Sequence, residues 1–147
     1  MQSVHPYLNF KGNAEKAFEF YREVFGGELL GLLRFRDFGE NAMGVDEADL
    51  DKIAHIALPL SPDTNLMASD VVGSEAEAFI EGTNTYIYLE ADTAEEAERL
   101  FTGLSTGGHT EMPLAETEWA ELYGICVDPF GVQWMISFTG DVEFQLE

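Results

Sequence analysis

A helix written twice limits what this chain can fold into more than any other feature. NAEKAFEFY, from Asn13 to Tyr21, is echoed by TAEEAERLF, from Thr93 to Phe101. Ala14 and Ala94 stand at an offset of 80, and that offset also pairs Glu15 with Glu95, Ala17 with Ala97, Tyr21 with Phe101, Val24 with Leu104 and Gly27 with Gly107. Each match has a separate physical role. Asn13 and Thr93 are residues that cap helix N-termini, and the apolar positions between recur at helical spacing. Gly26-Gly27 and Gly107-Gly108 are stops that tolerate the left-handed conformation. Two ordinary amphipathic helices in an α+β protein are the alternative, and they would not share all these features at one offset. Two units are too few for a solenoid, which needs about three or more. The reading is a duplicated module folded around a shared cavity.

Strands recur around each helix. Val4 to Phe10 reads as a strand rich in β-formers, and Glu28 to Phe38 as a second apolar strand region. A loop with five acids, Gly39 to Asp51, leads to strands at Lys52 to Leu60 and Thr64 to Ser69, joined by the turn Ser61-Pro62-Asp63. Ser74 to Gly82 is an acidic connector. Thr83 to Glu90, His109 to Leu114, Leu122 to Val127 and Gln133 to Phe138 supply the second set of strands, with Asp128-Pro129-Phe130-Gly131 as the last turn. Both halves read β-α-β-β-β. The expected fold class is α+β: one domain of two βαβββ modules, about 1–72 and 83–140, forming a curved mixed sheet around a cavity.

Composition limits the partners. With 28 acidic against 7 basic residues the formal net charge is -21. A field of that sign repels phosphate, so nucleic acid and anionic membrane are excluded as partners. The acids are dispersed, as on solvated faces; a high-salt adaptation and an acidic docking surface both remain readings of them. No stretch approaches the roughly 20 apolar residues of a membrane span, and MQSVHPYLNF lacks the pattern of a signal peptide. Cys126 is the only cysteine, which leaves no intrachain disulfide and no multi-cysteine zinc site. A cytoplasmic protein is expected. The aromatic-rich C-terminal block and open strand edges predict a homodimer.

The segments PYLNFKGNAEKAFEFY, VFGGEL, KIAHIALPL, LMASD and MPLAETEWAELYGICVDPFGVQWMISF resemble the PhnB-like branch of the vicinal oxygen chelate superfamily, which includes glyoxalase I, bleomycin-resistance proteins and extradiol dioxygenases. The terminal block carries Glu116, Thr117, Trp119, Gly124, Asp128, Phe130, Gly131, Trp134 and Met135, where PhnB-like proteins resemble one another most. An old methyltransferase label attached to some members finds no support, because no glycine-rich turn of a doubly wound sheet is present to hold a nucleoside cofactor.

In metal-dependent members the ligands, His or Gln and Glu, come from the first and last strands of each module. The resemblance places those positions at His5, Met67, Tyr86 and Met135; His5 needs a one-residue adjustment, since the offset of 80 pairs Tyr86 with Pro6. Two thioethers and a phenol do not suit a hard or borderline divalent ion, and GVQWMISF has no Glu. The expectation is no metal and no cofactor. Strand alternation instead nominates Tyr7, His55, Met67, Ser69, Tyr86, Tyr88, Trp134 and Met135 as lining for an apolar or aromatic small molecule. For the tryptophan and methionines ordinary core is the competing reading. His55 reads either as a half-buried, hydrogen-bonded histidine or as a ligand anchor. Arg34 and Arg36, placed on one face of the second strand, suit either an anionic ligand or neighbouring acids. Cys126 reads as an inert core thiol. No catalytic residue is nominated. A metal-free binding protein is the leading function; a metal-dependent lyase or dioxygenase-like enzyme is the alternative, and a structural or partner-binding dimer is the third.

Overall fold

The two repeated helices sit where the offset puts them. The computed structural model describes residues 1–39 and 44–143. Helix α1 runs Ala14–Phe25 and helix α3 runs Ala94–Ser105, an offset of 80 at both ends. Between them lies α2, Gly73–Glu77, a single turn inside the stretch read from sequence as an acidic connector. The chain divides into two compact units, Met1–Ile80 and Glu81–Glu147.

In the first unit β1 (Tyr7–Phe10), β2 (Leu30–Arg34), β3 (Ile53–Ser61) and β4 (Thr64–Asp70) form a mixed sheet in the order β1-β4-β3-β2. In the second unit β5 (Ile87–Glu90), β6 (His109–Ala115), β7 (Leu122–Val127) and β8 (Gln133–Phe138) repeat that order as β5-β8-β7-β6. In both sheets the first strand is parallel to the last and the other pairs are antiparallel. The fold is α+β, with two βαβββ-like units.

Each helix covers one face of its own sheet. Ala14, Ala17, Phe18, Tyr21 and Val24 make the buried stripe of α1, which packs on β3 and β4. Phe18 meets Phe10 edge-on at 6.5 Å and Tyr21 at 5.5 Å between ring centroids. Burying side chains of this size stabilises by about 1.5–3 kcal/mol each, which outweighs the weak helix propensity of the aromatics. In the second unit Ala97, Leu100 and Leu104 face β6, β7 and β8. Gly124 faces that helix too: a Cβ there would lie 2.8 Å from Phe101 Cε2 and 3.0 Å from Leu114 Cα. Glycine is required so that the Phe101 ring can cross β7.

Several sequence expectations need correction. The first strand of each unit is shorter than Val4–Phe10 and Thr83–Glu90, because pairing with β4 and β8 begins only at Tyr7 and Ile87. The second strand ends at Arg34, not Phe38; Phe35–Phe38 is a 3-10 turn with Phe35 buried. Within the expected loop Gly39 to Asp51, Glu47–Asp49 forms another 3-10 turn, and residues 40–43 lie outside the described set. Asn13 stands at the cap position of α1 without a side-chain cap bond. Asp70, at the end of β4, serves instead: its Oδ1 accepts from Gly12 N and Ala14 N, each at 3.0 Å, and its Oδ2 from Ile53 N at 2.9 Å. Thr93 does cap α3, accepting from Glu96 N at 3.1 Å, while Glu96 accepts in return from Asp92 N at 2.9 Å. Arg34 and Arg36 do not share a strand face. Arg34 holds Glu15 at 2.7 Å, and Arg36, in the 3-10 turn, holds Asp51 at 2.8 Å. Of the two readings for these arginines, the acids prevail.

Candidate functional site

The side chains nominated for a ligand lie mainly on the helix-free face of each sheet. In the first sheet the register sets Tyr7, Met67, Ala57 and Leu30 in one row. Asn9 is opposite Ser69, and Leu33 opposite His55, in the neighbouring row. Tyr7 and His55 touch, with Oη 3.2 Å from Nδ1 and ring centroids 5.8 Å apart. His55 is thus half-buried and hydrogen-bonded to a neighbour. Tyr7, Leu30 and Leu33 remain 47%, 49% and 39% exposed, so this face is apolar and uncovered by its own helix.

The second sheet repeats the rows with different chemistry. Tyr88, Met135, Ile125 and Met112 form one row, and Glu90, Ser137, Tyr123 and Ala115 the next. Tyr7 therefore corresponds to Tyr88 and Met67 to Met135. The first strands are related by 81, one more than the helices, because three residues separate Phe10 from Ala14 and two separate Ala91 from Ala94. The one-residue adjustment required for His5 has its reason here: at 81 it pairs with Tyr86.

Trp134 belongs to the other face. It alternates with Met135, lies opposite Cys126, and is fully buried with Nε1 donating to Asp128 Oδ2 at 2.9 Å. Of the two readings offered for it, the structure gives core. Cys126, buried beside it, has its thiol pushed up to about 12 by burial and then by the neighbouring Asp128 and Glu111 carboxylates. A thiol held in that form is a small hydrophobe, not a nucleophile.

The four positions at which the resemblance places chelating ligands do not fit an ion. His5 spends Nδ1 on the Asn65 N–H at 2.9 Å. Tyr86 donates its hydroxyl to Glu111 Oε2 at 2.8 Å, a bond that raises the phenol above its ordinary range. Met67 and Met135, half-buried, offer thioethers, which are soft and uncharged. Among the described residues no group of three or more His, Cys, Asp or Glu is arranged to hold a metal.

Sequence reasoning missed several residues on the second helix-free face. Glu90 accepts from Thr139 N at 2.7 Å, Thr139 Oγ1 at 2.9 Å and Tyr88 Oη at 3.0 Å. Burial opposes its charge, but the Thr139, Tyr88 and Ser137 hydrogen-bonding groups prevail and hold the carboxyl below its ordinary range. The Tyr88 hydroxyl is pushed up, chiefly by burial. Ser137 Oγ is fully buried close to both, but lacks a well-formed hydrogen bond. Trp119 stands edge-on to Tyr123 at 5.3 Å, on a turn where the Thr117 hydroxyl accepts from Trp119 N and Ala120 N. A signal for this was present in the sequence: a threonine turn followed by Trp119 and Tyr123 four residues apart.

A cavity of about 530 Å³ lies in the first unit, lined by Phe35, Val45, Asp46, Asp49, Ser69 and Glu75 among others. Of the nominated residues only Ser69 borders it. Two of its carboxylates are already engaged, Asp49 by Lys52 at 2.6 Å and Asp70 by its three N–H donors. The paired rows of the sheets, and not this cavity, carry the features shared by both units.

Residues 3–136 match the Glyoxalase/Bleomycin resistance protein/Dioxygenase superfamily, and the chain belongs to it. Protein YjdN of Escherichia coli (strain K12) is 32% identical over 141 residues, which cover 91% of this chain and 93% of YjdN. The crystal structure of protein PA1353 from Pseudomonas aeruginosa is similar with a TM-score of 0.81 at 36% identity, covering 96% of this chain and 100% of that one. A PhnB protein from Bacillus cereus shares the fold with a TM-score of 0.72 at 24% identity, over 93% of this chain and 99% of its own. Among the described residues no helix is long and apolar enough to cross a membrane.

Proposed function

We propose that this protein binds a small apolar or aromatic molecule without a metal ion, as a cytoplasmic homodimer. One feature carries the reading: at three of the four positions where the resemblance places the ion-holding side chains of metal-dependent relatives, this chain has Met67, Tyr86 and Met135. The strand register supports that correspondence, since Met67 and Met135 each lie opposite the equivalent tyrosine, Tyr7 and Tyr88. Open coordination chemistry at a divalent ion needs imidazole and carboxylate donors that balance charge, and these side chains supply neither. What they supply is polarizable, apolar contact suited to rings. Tyr7, His55, Met67 and Ser69 in the first unit, and Tyr86, Tyr88 and Met135 in the second, are the contact residues of this reading. The single cysteine supports a compartment without disulfides.

Thermal melts with nickel, zinc and manganese chlorides test it. A ligand that binds only the native state stabilises by mass action, about 2.7 kcal/mol at a hundredfold excess over its Kd. The expected result is an unchanged melting temperature with every ion, and elemental analysis without stoichiometric metal. One divalent ion per chain, lost with an activity on chelation, would establish the metal-dependent lyase or dioxygenase-like alternative. Light scattering that returns the 16.3 kDa of one chain would remove the dimer.

A further inference from the structure

From residue 81 onward Arg99 is the single Lys or Arg, against 14 Asp and Glu. Against that field, the helix-free face of the second sheet brings a carboxylate, a buried hydroxyl and aromatic rings together. Glu90, Ser137 and Tyr123 are neighbours across three strands, with Tyr88 bonded to Glu90 and Trp119 packed on Tyr123. We propose that this face binds a small organic cation, with an ammonium or guanidinium group at Glu90 and Ser137 and its apolar part against Trp119, Tyr123 and Tyr88. The inference rests on the small-molecule reading above and names its ligand class.

Three arguments favour a cation over a neutral or anionic ligand. The partners Glu90 has, Tyr88 Oη, Thr139 N and Thr139 Oγ1, are all neutral donors. They hold the carboxylate ionised and in place without cancelling its charge. Ser137 Oγ is fully buried beside Glu90 and Tyr88 without a well-formed hydrogen bond, so it keeps acceptor capacity to spare. An ammonium N–H directed at Glu90 meets this oxygen as a second acceptor. The rings add the negative faces of their π systems, which attract a cation. Tyr86 repeats the theme beside the row, with a phenol donating to Glu111. An anionic ligand would face Glu90 and Glu111, beside which the only basic side chain in an ion-pair contact among the described residues is His109, 4.0 Å from Glu111.

The test compares three probes of one shape on the full-length, 15N-labelled protein by NMR titration at physiological salt: phenethylammonium, 2-phenylethanol and 3-phenylpropionate. The cation is expected to bind about tenfold more tightly than the alcohol, the size of one charge-assisted contact, and to shift the Trp119 indole and the Glu90 and Ser137 amides. Glu90→Gln removes that preference while leaving the alcohol unchanged. Glu19→Gln, on the exposed side of α1, removes the same charge elsewhere and leaves the preference intact. Ser137→Ala deletes a buried hydroxyl that lacks a well-formed hydrogen bond, so it folds, and it weakens the cation several-fold. Equal affinity for cation and alcohol, an equal loss from E19Q and E90Q, or full-strength binding by S137A overturns the inference and leaves the small-molecule reading standing. No shift with any of the three probes overturns both.

Discussion

The two helices begin in the same way in sequence and in different ways in space. Helix α3 is capped locally: Thr93 accepts from Glu96 N, and Glu96 reaches back to Asp92 N, a reciprocal box within five residues. Helix α1 is capped from a distance. Its start is held by Asp70, 56 residues along the chain from Ala14, and that carboxylate also holds the first residue of β3. By register Asp70 corresponds to Phe138, whose side chain has no oxygen to give its helix. Of two copies of one module, one has an end written into the helix itself, and the other depends on the sheet being assembled. The teaching is that a cap residue type at the cap position does not identify the cap.

The comparison yields measurements of decreasing size. Asp70→Ala leaves three donors without their acceptor, two of them on residues the sheet or helix buries, and is expected to destabilise by about 3 kcal/mol or more in urea unfolding. Asp70→Asn falls between, because its amide NH₂ or oxygen suits one side of the Gly12–Ala14 and Ile53 pair but not both. A cost for D70A no larger than that of Thr93→Ala would end the distinction between the two starts. Gly124→Ala comes next at about 1–3 kcal/mol, the usual cost of overpacking, since its Cβ would press on Phe101 and on the Leu114 backbone. Its counterpart Ile56 accommodates a full buried side chain, so the cost belongs to the second unit alone. Thr93→Ala is expected to cost about 1 kcal/mol, with amide exchange quickened only in the first turn of α3. The smallest effect is acid sensitivity at Glu90. Its folded pKa lies below the ordinary carboxylate value of 4.5, so its contribution is present above that value and lost as pH falls through the lower folded one. Glu90→Gln should flatten the acid limb of a stability profile measured between pH 6 and pH 3 (chosen to bracket that roughly 4.5 value). An unchanged limb would show that the Thr139 bonds confer no differential stability.

Both helix starts and the end of α1 were legible to the residue because their periodicity and stops are local, while α3 ends at Ser105, before its Gly107-Gly108 stop. Strands β7 and β8 were legible for a similar reason: Leu122–Val127 and Gln133–Phe138 are bounded by turn residues. The first strand of each unit was not, because Val4, His5 and Pro6 have strand-like composition but precede the pairing with β4. The Asn13 error had the same source, an acceptor supplied from another strand. Among the candidate residues, Tyr7, Met67 and Ser69 share the one face that alternation gives them. Trp134 and Met135 could not both do so, since adjacent strand residues point oppositely. Trp119, Glu90 and Ser137 were missed because their meaning lies in register, which brings three strands and a turn together.

The step from 81 to 80 between strand and helix matters to anyone who would exchange the halves of this protein. A segment transplanted at the helix spacing would put Ile87 where Tyr7 stands and Tyr88 where Leu8 stands. The graft would keep every residue in a strand and turn that strand inside out, sending Tyr88 and Glu90 toward the helix and Ile87 and Leu89 away from it. Counted at 81, with one residue restored before Ala94, the same donor sequence fits. In this architecture the short link between first strand and helix therefore acts as a phase setting, and a single codon there decides which side of the sheet a ligand would meet.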